Sequence, residues 1–453
     1  MPFLSPMQHE LRVLKSSEKR IIALTVFGSF FSSIDFTIYI TFKEILTKVF
    51  FSQELPEWLS TLSFFIILVS GYILRPIGGI IMANYGDRYG RKPMLMLSLV
   101  ILSAATLAIA VIPSYAHIGF FAPILLMLFR LFQGFAFGGE APGAWVYLSE
   151  HLPRSHIGIG CGLLIGGFVL SVLCNNIMLQ FLSATLSDAQ ILSFGWRIPF
   201  VIASLGTILA VIIRSPLTET KVWQYAKKNQ QLVKQFPLKV ALKNYHFAVF
   251  VTLSLSWFST SLFMIILIIL PDMTLLYQDV DNRVLDLANN LAAVFGTLGA
   301  VTFGYLTDRF NAGKVLILGC IALALSSFLC YSQLQHSDDW VFLGFILVGF
   351  CFGVVGVVPS ICVRLFPVEV RFSGISFCYN MSYLVTGIIT PLLLVYASTL
   401  VSLAPVLYII FICMIGGLVG LFLTNLQGLH RIEAVGQDSP NRPNTLDSSI
   451  YSR

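Results

Sequence analysis

The sequence predicts an all-α membrane protein of twelve transmembrane helices in two pseudo-symmetric six-helix halves, and three observations predict it. The composition is too apolar for a water-soluble chain. Of 453 residues 57% are hydrophobic and 11% charged, with mean hydropathy +0.84, whereas soluble domains carry about a quarter charged residues. About twelve apolar runs follow one another, each close to the roughly 20 residues a helix needs to cross a hydrocarbon core. Two stretches half a chain apart, 79–94 (GIIMANYGDRYGRKPM) and 304–314 (GYLTDRFNAGK), repeat one signature between apolar runs, which marks a duplication.

The spans are placed near 21–42, 58–83, 93–113, 119–149, 157–181, 194–214, 246–271, 284–306, 312–333, 340–363, 374–396 and 402–424. They divide the chain into a polar N-terminal segment (1–20), a first half (21–214), a central loop (215–245), a second half (246–424) and a polar tail (425–453). The tail has no hydrophobic periodicity and no heptads, so it is expected to be disordered and not a coiled coil. The first apolar run lacks a small-residue cleavage site and is read as an uncleaved first span. Of the 28 Lys and Arg, about 22 fall on the side of the N-terminus, about four on the other side, and two, Arg75 and Arg130, inside the membrane. Cytoplasmic loops hold such an excess, so both termini are expected in the cytoplasm.

Several function classes drop out. Basic residues scattered over short loops write topology and do not form a nucleic-acid surface. The eight cysteines lie in or at the ends of apolar stretches without CxxC spacing, so they read as small core residues, with neither disulfides nor a metal site. The seven histidines show no metal-ligand pairing, and no GxxxxGK[ST] phosphate loop appears. The chain is therefore read as a secondary transporter and not an enzyme. No cofactor is expected.

An ionisable residue near the bilayer centre costs about 2.5 to 3.5 kcal/mol on insertion scales, so each one invites a functional reading. Four qualify: Asp35 in the first span, Arg75 in the second, Arg130 and Glu140 in the fourth. At about 1.5 Å per residue, Asp35 and Arg130 lie roughly 10 and 16 Å from the outer face, and Arg75 and Glu140 roughly 25 and 30 Å. The first two are thus at heights that allow a shared cavity, and the last two at heights that allow a meeting near the inner end. A second repeat sharpens the picture: 134–138 (GFAFG) in the fourth span matches 349–353 (GFCFG) in the tenth, a spacing read as close helix packing. In this register Arg130, Gln133 and Glu140 correspond to Phe345, Val348 and Val355. The fold itself does not need those polar groups, since the other half manages without them.

The duplicated loops resemble those between helices 2 and 3, and between helices 8 and 9, of the major facilitator superfamily. The resemblance narrows with 33–39 (SIDFTIY), 75–79 (RPIGG), 130–134 (RLFQG), 138–140 (GGE) with Gly143 and Ala144, 195–200 (GWRIPF) and 217–220 (LTET). Together these resemble the metabolite:proton symporter family, whose members carry proline and betaine, 2-oxoglutarate, citrate or shikimate. Two positions depart: Ser32 stands where that family usually has a glutamate, and Asn311 where a glycine is expected.

The resemblance implies the major facilitator fold and proton-coupled uptake of a small carboxylate-bearing metabolite or zwitterionic osmolyte, by a monomer in the bacterial inner membrane. The alternatives left open are an exporter or exchanger without proton symport, and a non-transporting sensor on the same fold. A carboxyl group in a partly dry cavity is suited to binding and releasing a proton, the role expected of Asp35 and Glu140. Arg130 offers a planar fork of donors to a carboxylate. Tyr39, Gln133 and Arg75 are expected beside it, and Trp257, Asn380 and Tyr383 close the site from the second half. Asp87, Arg88, Arg91, Glu150 and Arg154, with Asp308 and Arg309 of the second loop, resemble the inner-face charge network that the superfamily breaks and remakes during alternating access.

Overall fold

The computed structural model describes residues 13–52, 54–233, 235–269, 281–333, 338–401 and 403–425. The expectation for the tail falls on 426–453, outside the described residues. Among the described residues twelve helices are long and apolar enough to cross a membrane: α1 (Ser16–Thr41), α2 (Trp58–Tyr89), α3 (Arg91–Val111), α4 (Phe121–His151), α5 (Arg154–Thr185), α6 (Asp188–Arg214), α7 (His246–Leu267), α8 (Arg283–Arg309), α9 (Ala312–Ser332), α10 (Trp340–Leu365), α11 (Arg371–Leu400) and α12 (Ala404–Thr424). Each lies on one of the expected spans. A hydrocarbon core leaves no water to satisfy backbone groups, so uninterrupted apolar sequence closes its own hydrogen bonds as helix. Four further short helices among the described residues were not read from the sequence: Lys43–Phe50 after α1, Tyr115–Ile118 before α4, and Lys221–Lys228 and Pro237–Asn244 in the central loop.

Glycines set the packing that positions the site. A Cβ on Gly134 would run into the Gly71 carbonyl, one on Gly138 into the Arg75 carbonyl, and one on Gly78 into the backbone of Phe135. Backbones of α2 and α4 thus approach as only small residues allow. The second copy does the same for α8 and α10, where Gly349 meets Ala292 and Gly353 meets Gly299. Between halves, α2 packs on α11 and α5 on α8, two pairings exchanged by the duplication.

The helices break where the site needs them to. In α2 the regular turns end at Ile73 and restart at Arg75. Pro76 has no N–H to donate, and it disfavours helical geometry in the residue before it. Arg75 therefore leaves the backbone at an interruption deep in the bundle. Between α2 and α3, Gly90 has φ 125, a conformation that glycine adopts without strain. In the matching second loop Asn311 accepts from the amides of Gly313 and Lys314 at 2.9 and 3.3 Å. The departure at this position thus caps α9.

Candidate functional site

A buried polar chain crosses the first half. Asp35 Oδ2 accepts from the Thr207 hydroxyl of α6 at 3.3 Å, and Thr106 of α3 also faces this carboxylate. The Gln133 amide donates to Thr106 at 2.6 Å, and its oxygen accepts from Arg130 Nη1 at 2.9 Å. Asp35 and Arg130 thus share one neighbourhood, joined through Thr106 and Gln133 and not by a direct ion pair. The Arg130 guanidinium lies 4.5 Å from the centre of the Tyr39 ring, which stacks on Phe64 while its hydroxyl donates to the Phe64 carbonyl. Asp35, Arg130 and Gln133 are all fully buried.

Arg75 sits one layer further in, within an aromatic box built by both halves. Its guanidinium carbon is 3.8 Å from the Tyr383 ring centre, 4.8 Å from Phe137, 5.0 Å from Phe36 and 5.5 Å from Tyr379. Its Nε donates to Asn380 at 3.3 Å, and the Asn380 amide donates in turn to the Gly138 carbonyl at 2.8 Å. Each cation–π contact contributes about 0.5 to 2 kcal/mol, against several kcal/mol for taking an unpaired ion out of water. The box holds the charge without neutralising it. Both guanidinium carbons stand over Phe36, Arg75 at 5.0 Å and Arg130 at 5.6 Å, so they are within about 11 Å of each other. At that separation like charges repel by about 1.5 kcal/mol in an effective dielectric of 20.

Glu140 lies elsewhere than expected. It does not meet Arg75; it pairs with Arg214 at 3.8 Å and accepts from the Ser29 hydroxyl at 2.9 Å. Arg214 closes the sixth span, expected at 194–214, and its side chain folds back to donate to the Leu24 and Thr25 carbonyls of α1. Ser32 donates to the Ser29 carbonyl and faces the same carboxylate. The position that departs from the family pattern therefore belongs to the Glu140 and Arg214 cluster and not to Asp35. Trp257 also departs from expectation. Its ring meets Phe411 of α12 edge-on, and Phe411 is half exposed on the outside of the bundle. The face of α7 that meets α11 is instead marked by Thr260, whose hydroxyl lies 3.0 Å from that of Thr386.

At the face where α1 begins, charges join the halves. Asp87 accepts from the amides of Phe372 and Ser373 at 3.3 and 2.9 Å, the first turn of α11, where a helix N-terminus favours an anion. Asp308 does the same for α5, accepting from Gly158 and Ile159 at 2.7 and 2.8 Å. The duplicated aspartate of each half thus caps a helix of the other. Arg91 bridges Asp87 and Glu150 at 3.2 and 3.3 Å and donates to Val368, while Arg371 binds Glu150 at 3.1 Å. Arg154 contributes its carbonyl to Arg364, which lies 3.7 Å from Asp308. Arg309 lies over Tyr305 of its own helix, and Arg88 is half-buried at the end of α2. Arg371 and Arg364 were not among the residues expected in this network. The central loop closes over this network: the Thr220 hydroxyl donates to Glu150 at 2.6 Å and the Trp223 indole to the Asp87 carbonyl at 2.9 Å.

Two duplicated halves, locked together at one face and enclosing unbalanced buried charge at mid-depth, define a multi-pass membrane transporter and not an enzyme. The comparisons with known proteins place it. The family model of the Major Facilitator Superfamily matches residues 25–391, and the chain belongs to that superfamily. A provisionally named proline/betaine transporter of Staphylococcus aureus (strain MSSA476) is 30% identical over 421 residues, covering 90% of this chain and 88% of its own length. The shikimate transporter of Escherichia coli (strain K12) is 30% identical over 430 residues, covering 91% and 96%. Among solved structures, the proton:xylose symporter XylE bound to 6-bromo-6-deoxy-D-glucose superposes with a TM-score of 0.78 at 16% identity, covering 93% of this chain and 99% of that one. That likeness shows the shared fold.

Proposed function

We propose that this protein is a proton-coupled carrier of the bacterial inner membrane, with cytoplasmic termini, that takes up a small carboxylate-bearing metabolite or zwitterion by alternating access. One observation carries the reading: a fully buried chain of Asp35, Thr106, Gln133 and Arg130 in the first half, with the apolar Phe345 and Val348 at the positions of the second half that correspond to Arg130 and Gln133. A fold that stands without these groups in one half keeps them in the other for a task. Asp35 takes the proton, and Arg130 and Arg75 hold the carboxylate. Relatives named as proline/betaine and shikimate transporters support a substrate of this size and charge.

The two halves, 21–214 and 246–424, act as the moving bodies. The aspartate caps of α11 and α5, with Arg91 and Glu150, are the contacts that break when the cytoplasmic side opens. The test is proton movement in proteoliposomes containing a pH dye, on adding proline, glycine betaine, 2-oxoglutarate, citrate and shikimate one at a time. Alkalinisation outside with one of them, lost in Asp35→Asn, is the expected result. Uptake without proton movement overturns the coupling and leaves an exchanger. Absence of any flux overturns the carrier reading in favour of a sensor.

A further inference from the structure

We propose that the substrate is a dicarboxylate, with one carboxylate on Arg75 and the other on Arg130, and not a zwitterion. This rests on the carrier reading above and narrows its substrate. Each of the two guanidinium groups leaves a complete two-nitrogen fork open. On Arg75, Nη1 and Nη2 make no hydrogen bond of normal geometry among the described residues, with only the Tyr379 hydroxyl turned toward the group. On Arg130 the open pair is Nε and Nη2, the side-on edge of the guanidinium, since Nη1 is taken by Gln133. Both are pairs of parallel donors, the shape that a carboxylate meets with two bonds of about 2.7 to 2.9 Å. Buried donors without acceptors are costly, and here four of them come in two pairs, on guanidiniums 5.0 and 5.6 Å from the centre of one ring, Phe36. The two guanidinium carbons, within about 11 Å of each other, are close enough for one short molecule to reach both.

The charge balance agrees. Glu140 already has Arg214 and Ser29 as partners, so Asp35 is the one carboxylate near the two guanidiniums among the described residues. With a proton on Asp35 the pair carries two uncompensated positive charges, which a dianion balances and a zwitterion does not. The aromatic faces that would receive a quaternary ammonium already hold Arg75. Arg75 also binds Asn380 and Tyr383 of α11, so a carboxylate that engages it acts on a contact between the halves.

The test is a binding panel on the purified full-length protein: succinate and 2-oxoglutarate against butyrate, proline and glycine betaine. Dicarboxylates are expected to bind at least about 10-fold more tightly than butyrate, the gain of one charge-assisted pair, with proline and betaine weakest. In Arg130→Gln the second carboxylate should gain nothing, so succinate and butyrate converge, while Arg130→Lys recovers part of the preference. The wild-type ranking decides the matter even where a variant misfolds. Tightest binding by proline, betaine or butyrate overturns the dicarboxylate assignment alone, provided that ligand moves protons in proteoliposomes. Binding by none of the panel overturns it together with the carrier reading.

Discussion

Replacing Asp87 with alanine tests whether the two inter-half locks open together. The buried Asp87 carboxylate takes the Phe372 and Ser373 amides at 3.3 and 2.9 Å and pairs with Arg91 at 3.2 Å. Arg91 keeps Glu150 at 3.3 Å, so the substitution removes the cap without stranding the arginine. Hydrogen bonds to a charged group contribute about 1.5 to 3 kcal/mol each, so the two amide bonds together contribute about 3 to 6 kcal/mol. The closed state should therefore lose about 3 kcal/mol or more, which raises the open-to-closed ratio at least about 10²-fold. Amide hydrogen exchange reads this directly. Phe372 and Ser373 should exchange faster by that factor, and so should Gly158 and Ile159, which are held by the untouched Asp308, because one rigid-body opening separates both pairs. Faster exchange at Phe372 and Ser373 alone would mean local fraying and would refute the concerted opening. No change at either pair would mean that the cap adds nothing to closure.

Gly134→Ala forces a methyl group against the Gly71 carbonyl, so the α2 and α4 contact should loosen at a cost of about 1 to 3 kcal/mol, read as a lower unfolding midpoint in detergent. Arg214→Gln leaves Glu140 buried without its cation and should destabilise by about 3 to 5 kcal/mol; the double variant with Glu140→Gln should recover much of that loss in the same unfolding assay. A double variant no more stable than Arg214→Gln would show that Arg214 acts only through the Leu24 and Thr25 carbonyls.

The fold was legible because the bilayer makes it so: length and apolarity locate a span, and the duplication pairs the halves. Glycine spacing named the close contacts, since Gly134 and Gly138 in α4 and Gly349 and Gly353 in α10 do in space what their repeat suggested. What the sequence could not give was rotation. Counting residues puts Arg75 and Glu140 at similar heights, but height does not say which way a side chain leaves its helix, and each found other partners in Asn380 and Arg214. Trp257 failed for the same reason, because in lipid the outer face of α7 is as apolar as the inner one and no periodicity separates them. Arg214 was hidden by its place at the end of an apolar run, where a cation reads as a topology signal, although its long side chain reaches back into the bundle. The short helix Lys221–Lys228 was missed because its polar sequence carries Trp223 as its main sign of docking.

The most direct test of proton coupling through Asp35 compares two modes of transport in the same proteoliposomes. Wild-type protein should accumulate substrate against its gradient when an inward pH gradient is imposed. Asp35→Asn should lose that accumulation while still exchanging labelled for unlabelled substrate across the membrane. Accumulation driven by the pH gradient in Asp35→Asn would contradict the account, since the proton would then be carried by another group.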